Sequence, residues 1–323
     1  MDKTNSSEVG RLACFGLKTI LFESKSSVVI TAIGVSIFNT ILAFTATFGN
    51  GLMIFVLATK RSLKSPSNLL ICSLCVTDFI VGLIVQPLHV VSRVYEIRGI
   101  HLCKVKLTYA YFAFLCSGAS FLNVTLISMD RCYAVCRPFL YEANVTTKKY
   151  SVAVAVMWAS WSALTLLPFV GVISTNSYNL VLFLALIACI VAIFICYGCI
   201  YVVAKRLRNA VAPPACVGSD KERKTVVKRA NEQQKTNTVA ILITILILCY
   251  APNVTCGLLE SVLGFSLDLA YVAWHWTGLL VFANSSFNPL LYCIRSSDIR
   301  RVVYREINRR TGLLSQNVGS TVT

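Results

Sequence analysis

Apolar residues in this chain run in long unbroken blocks separated by short polar stretches. Seven blocks stand out, at residues 28–57, 69–91, 107–129, 152–171, 180–204, 239–263 and 269–294. A helix rises about 1.5 Å per residue, so some 20 apolar residues cross the hydrocarbon of a bilayer. Each block therefore predicts one membrane-spanning helix, and together they leave no room for a second domain. The expected fold class is an all-α membrane protein, a seven-transmembrane helix bundle. Past residue 294, Ile299, Val302, Val303 and Ile307 interleave with Arg300, Arg301, Arg305 and Arg309. That spacing predicts a short amphipathic helix on the inner membrane surface. The chain thus divides into an extracellular N-terminal segment (1–27), the bundle (28–294), the surface helix (295–310) and a disordered cytosolic tail (311–323).

Composition agrees: 56% of residues are hydrophobic and 14% charged, against about 25% charged in soluble domains. The net charge of +16 would suit nucleic acid if it were spread over a soluble surface. Instead Lys and Arg crowd into alternate loops: Lys60, Arg61 and Lys64, then Arg137, Lys148 and Lys149, then 205–235 and 295–310. The positive-inside rule puts those loops in the cytosol and the N-terminus outside. The partner implied is a lipid bilayer, not nucleic acid. No basic stretch followed by an apolar run precedes the first block, so no cleaved signal is expected. Asn5-Ser6-Ser7 is a candidate glycosylation sequon on the outer side. Most of the fourteen cysteines fall in apolar blocks as small packing residues.

Polar residues inside apolar blocks carry the functional signal, because burying them in lipid is costly. Asp78 is a lone carboxylate in the middle of the second block. Asn50, Ser120, Asn284, Ser285 and Asn288 occupy comparable depths in other blocks and predict one hydrated polar cluster. Asp130-Arg131 ends the third block, and Arg131 can pair with Asp130 or with Glu232 across the bundle. Such a pair is a latch between helix ends, although a snorkelling interfacial Arg fits the same spacing. Pro252 and Pro289 interrupt the last two blocks and predict kinks.

These elements, in this order, resemble the class A (rhodopsin-like) G-protein-coupled receptors. The matching positions are Gly49-Asn50, Leu74-x-x-x-Asp78, Asp130-Arg131 with Pro138 and Tyr141, Trp158, Pro168, Tyr197, Pro252 and Asn288-Pro289-x-x-Tyr292. The resemblance implies a plasma-membrane receptor, not an enzyme, that passes an extracellular ligand signal to heterotrimeric G proteins, with arrestin as a further partner. It implies that Asp78, Ser120, Asn284, Ser285 and Asn288 form a pocket for an allosteric sodium ion and water. Arg131 would be held by Asp130 and Glu232 until helix six moves outward. Tyr197 and Tyr292 would support the open arrangement, and Tyr250, with Pro252 below the ligand, would be the toggle. Tyr109, Phe112, Ala113, Asn253, Trp274 and Phe282 are candidate ligand-pocket residues.

The chain also departs from the family pattern. Tyr250 stands where Trp is usual, Cys132 where Tyr follows the Arg, and Cys189 where helix five has its proline. Lys106 takes the place of the outer cysteine of helix three. The loop after the fourth block is short and lacks cysteine, as in the melanocortin branch, so the usual disulfide cannot form; the chain loosely resembles that branch or the neighbouring adenosine-like one. Cys14 and Cys103 are a candidate disulfide in its stead, though the spacing does not set their separation. Ala113 replaces the Asp of amine receptors, and no lysine lies in 269–294 to hold retinal. Arg93, Lys104 and Lys106 make the outer mouth basic, which would draw an acidic ligand, although Glu260 and Asp268 sit on the opposite rim. The altered toggle and loop also fit a receptor active without a dedicated ligand. A transporter is the remoter alternative, with one carboxylate to line a path. His89, His101 and His275 lack metal-site spacing for an intramembrane enzyme.

Overall fold

The computed structural model describes residues 12–14, 17–19, 26–60, 63–98, 100, 102–210, 220–264, 266–295 and 300–305. Seven long helices account for most of them: α1 (Ser26–Thr59), α2 (Pro66–Ile97), α3 (Cys103–Cys136), α4 (Thr147–Leu166), α5 (Thr175–Ala210), α6 (Asp220–Leu263) and α7 (Leu267–Arg295). A two-turn helix, Pro138–Asn144, joins α3 to α4. Residues 300–305 are helical, within the stretch expected to lie along the inner surface. The remainder of that expected helix lies outside the described residues, as do Asn5 and the tail.

Near the N-terminus the chain forms a small antiparallel hairpin that its sequence pattern does not announce. Strand β1 (Leu12–Cys14) pairs with β2 (Leu17–Thr19), Cys14 opposite Leu17.

By length and composition, five helical segments can cross a bilayer: α1, α2, α3, Leu180–Arg206 of α5 and Thr236–Glu260 of α6. At 20 and 29 residues α4 and α7 are long enough, but α7 carries His275, Asn284, Ser285, Ser286 and Asn288, the last four of them buried. Its polarity faces the bundle. Lipid is met elsewhere, on ridges such as Ile33, Ile37, Ile41, Phe44 and Phe48 of α1, all more than half exposed.

Local chemistry explains how the helices begin and bend. Ser65 caps α2 by accepting from the Asn68 amide at 3.2 Å, with Pro66 in the first turn. Thr146 caps α4 in the same way through Lys149. Such caps satisfy amides that have no partner inside the helix. Midway along α2, residues Val81–Val85 form a turn of π-helix, and the Gln86 amide reaches back to the Val81 carbonyl. Pro87 follows at once and has no amide to donate. The wider turn absorbs that break and shifts the phase of everything beyond it.

α3 is the central post, packing on α2, α4, α5 and α6, while α1 packs on α2 and α7. Gly118 makes the α3–α4 crossing close: a Cβ there would overlap the Trp161 ring, whose indole N–H donates to the Leu115 carbonyl at 3.0 Å.

Candidate functional site

At mid-depth, Asp78 is fully buried. Its carboxylate accepts from Ser285 Oγ at 2.7 Å and from Asn288 Nδ2 at 2.6 Å. Both donors stand on α7 one turn apart, so α2 is tied to α7 beside the Pro289 kink. That proline leaves the Ser285 carbonyl without its usual helical donor. Asn50 of α1 supplies the missing bond at 2.9 Å. Gly49 lets α1 come this near, since a Cβ there would lie 3.0 Å from the Pro289 ring. The three motif elements of α1, α2 and α7 thus form one hydrogen-bonded unit.

A small cavity borders this unit. It is lined by Ala113, Ser117, Ser120, Tyr250, Phe282 and Ser285, among others, with room of about 10 Å³ for the centre of a water-sized sphere. That is roughly enough for one water. Nearby, Asn50 Oδ1, Asn123 Oδ1 and Tyr292 Oη are buried without a hydrogen-bond partner. Orphaned oxygens beside a carboxylate suit a cation or ordered water. Ser120 therefore falls where expected. Asn284 is buried on the same face of α7, but no hydrogen bond joins it to Asp78 among the described contacts.

At the inner end, Arg131 is buried and paired with Asp130. Its Nε donates to Asp130 Oδ2 at 2.8 Å and its Nη2 to Ser67 Oγ of α2 at 2.6 Å. Asp130 Oδ1 in turn accepts from Tyr141 at 2.8 Å and Tyr150 at 2.6 Å. These contacts fix the arginine by a network, a stronger state than the snorkelling alternative. The Glu232 side chain lies outside the described residues. Tyr197 donates to the Thr236 carbonyl at 3.4 Å, joining α5 to α6, and Tyr292 packs among Met53, Val56, Cys75 and Leu242.

Some of the expected ligand-pocket residues meet at or beside this small cavity. Ala113 and Phe282 line the cavity, and Tyr109 meets Phe282 edge-on at 6.5 Å. Phe112 packs on Tyr111. Tyr250 sets its ring edge against Phe121 at 4.7 Å. Asn253 and Trp274 do something else: Asn253 donates to Thr277 at 3.1 Å and the Trp274 indole to Glu260. They fasten α6 to α7 and are absent from the cavity wall.

A further set of polar contacts at the outer end completes the picture. In the outer half of α2, Gln86, His89 and Arg93 point inward. Gln86 Nε2 donates to Asn39 Oδ1 at 2.9 Å, and Asn39 Nδ2 donates to the Gln86 carbonyl at 3.2 Å while lying 3.1 Å from His89 Nδ1. Arg93 forms an ion pair with Glu96 at 2.6 Å and donates to His275 Nε2 of α7, whose Nδ1 donates to the Tyr271 carbonyl at 2.6 Å. His275 is therefore the neutral tautomer protonated at Nδ1. Lys106 approaches Glu96 to 4.0 Å. The i, i+3, i+7 spacing of Gln86, His89 and Arg93 marks one helical face, a signal present in the sequence itself.

Cys103, one of the two candidate cysteines, is disulfide-bonded. Cys14 closes β1, and its side chain is outside the described residues.

Comparison with known proteins sets this geometry among relatives. The family model described as "7 transmembrane receptor (rhodopsin family)" matches residues 49–292. Trace amine-associated receptor 4 of Rattus norvegicus is 27% identical over 271 residues, covering 76% of each chain. Melanopsin of Rutilus rutilus is 23% identical, covering 83% of this chain and 57% of its own. The crystal structure of squid rhodopsin superposes with a TM-score of 0.76 at 18% identity, over 88% of this chain and 87% of that one.

Proposed function

Since this chain belongs to the rhodopsin family of seven-transmembrane receptors (the class A G-protein-coupled receptors) and is a multi-pass membrane receptor rather than an enzyme, we propose that it carries an extracellular ligand signal across the plasma membrane by outward movement of α6. The observation that carries this reading is the inner network in which Asp130, Tyr141, Tyr150 and Ser67 all hold Arg131 or its partner. Freed from that network, Arg131 would meet a heterotrimeric G protein in the basic inner cleft, and arrestin would use the same opened face. Glu232 would complete the latch, and Tyr197 and Tyr292 would turn in behind it. A ligand moves this equilibrium only by binding one state more tightly than the other.

In this reading the N-terminal segment (1–27) is outside, residues 28–294 form the bundle, 295–310 lie on the inner surface and 311–323 trail into the cytosol. Crowding of Lys and Arg in the inner loops supports that orientation. The residues at Asp78 fit a hydrated sodium ion: one carboxylate, the hydroxyls of Ser120 and Ser285, and Asn288, with Asn284 behind them. The ion would neutralise the buried charge and favour the closed state.

For the ligand, one observation points away from an amine. Ala113 stands where amine receptors place an Asp, while Arg93 and Lys106 at the outer end are already paired with Glu96. The lack of lysine in 269–294 argues against retinal. A second reading, signalling without a dedicated ligand, is supported by Tyr250 at the toggle position and by the cysteine-free loop after α4. Basal nucleotide exchange on a G protein, measured in transfected membranes against empty-vector membranes, separates the two.

The same assay tests the main reading. Arg131→Ala is expected to remove nucleotide exchange while surface expression persists. Exchange retained at the wild-type level would take Arg131 out of the mechanism.

A further inference from the structure

We propose that Cys14 and Cys103 are joined in a disulfide that straps the N-terminal hairpin across the outer mouth of the bundle. Cys103 is the first residue of α3 and is disulfide-bonded. Eleven of the other cysteines are free: Cys72, Cys75, Cys116, Cys132, Cys136 and six in α5, α6 and α7. Of the fourteen in the chain, that leaves Cys14 and Cys216 as partners for Cys103.

Position separates these two. β1 ends at Cys14 and packs against α3. Cys216 belongs to the connection between the last turn of α5 and the first turn of α6. That end of α5 runs past Cys196, which lies against Cys132 in the last turns of α3. Cys103 begins the same helix, 28 residues before Arg131, or about 42 Å at 1.5 Å per residue. A disulfide needs Cα atoms within about 7 Å. Cys14 ends the strand that packs against α3, whereas the connection that carries Cys216 leaves from the opposite end of the bundle.

The strap follows from where the hairpin is anchored. One anchor is the outer end of α3. The other is α1, which begins at Ser26, seven residues after β2 ends at Thr19. Seven residues reach at most about 25 Å. α1 packs on α2 and α7, and α3 reaches the same neighbourhood through α2. These two anchors flank the outer end of α2, which carries Arg93 bonded to His275 of α7. The connection between α4 and α5 is short and has no cysteine, so it cannot be stapled there. The hairpin takes that position from the N-terminal side.

Formation of the bond balances as a thiol–disulfide exchange. Each cysteine gives up one hydrogen, the S–S bond forms, and a protein disulfide of the secretory pathway accepts the two electrons and two protons and leaves as a dithiol. The strap rests on the outer placement of the N-terminus proposed above.

The decisive test is a non-reducing peptide map of the full-length receptor from intact cells. The expected result is a Cys14 peptide linked to a Cys103 peptide, separating on reduction. Recovery of Cys14 alkylated without prior reduction, or of Cys103 linked elsewhere, overturns the proposal. The map uses no signalling readout, so loss of G-protein coupling in another experiment leaves it standing. The covering role is read by a Tyr109→Cys substitution and a membrane-impermeant thiol reagent. Labelling at position 109 is expected to accelerate severalfold when Cys14→Ser and Cys103→Ser are added, and equal rates would overturn the strap as a cover. Should those variants fail to reach the surface, mild reduction of the Tyr109→Cys receptor followed by mapping of position 109 gives the same comparison.

Discussion

Asp78 shows how a single side chain earns its place in an apolar setting. Its two oxygens are each met by a donor from α7, and its neighbours leave three oxygens unpaired. Asp78→Asn keeps the shape and removes the charge a cation would seek. The expected outcome is loss of the sodium dependence of signalling, measured as nucleotide exchange at matched ionic strength in sodium against a large organic cation. Persisting sodium dependence would count against the pocket. Asn50 is tested differently, because it serves a carbonyl that a proline abandoned. Asn50→Ala leaves the buried Ser285 carbonyl unpaired, at a cost of about 1–3 kcal/mol, and a lower thermal midpoint of the detergent-solubilised receptor is expected. Asp78 and Arg131 are legible in the sequence because a charge in an apolar run stands out. The link from Asn50 to Ser285 is not, since it depends on how near two helices 235 residues apart in sequence approach.

At the level of elements, the apolar blocks place every long helix, and the two expected kink prolines fall inside α6 and α7. It cannot show the π-turn at Val81–Val85, because an extra residue in a turn leaves no compositional mark. Nor can it show that α4 is held to α3 by an indole bonded to a backbone carbonyl over a glycine. Gly118→Ala forces the Trp161 ring aside, and overpacking of this kind costs about 1–3 kcal/mol. A reduced thermal midpoint is expected, with partial recovery when Trp161→Phe is added to make room. Trp274 and Asn253 read as ligand contacts in the sequence and clasp α6 to α7 in the fold, an ambiguity common to outer aromatic and amide residues.

For the whole molecule, the ends of the bundle are held by different chemistry. The inner end is tied by the Arg131 network, and the outer end by the Arg93–Glu96–His275 contacts between α2 and α7. Arg93→Ala leaves the half-buried Glu96 without its ion pair, Lys106 standing 4.0 Å away. Removing one partner of a fully buried pair costs about 3–5 kcal/mol; at a half-buried site the loss is smaller, and lower surface expression and stability are expected. Arg93→Lys, which retains charge but not the forked donor, should recover only part. Orientation has its own check: Asn5→Gln should abolish any glycosidase-sensitive shift in electrophoretic mobility. An unchanged shift would place the modified site elsewhere.

The π-turn in α2 has a meaning for inheritance as well as for shape. It sits between Asp78, which serves the inner mechanism, and Gln86, His89 and Arg93, which furnish the outer end. Each helical residue turns the chain by about 100°. Loss of one codon between the two groups would therefore rotate the whole outer set to a new bearing and leave Asp78 where it stands. The receptor's input chemistry can thus be re-aimed by one small deletion without rewriting its transmission.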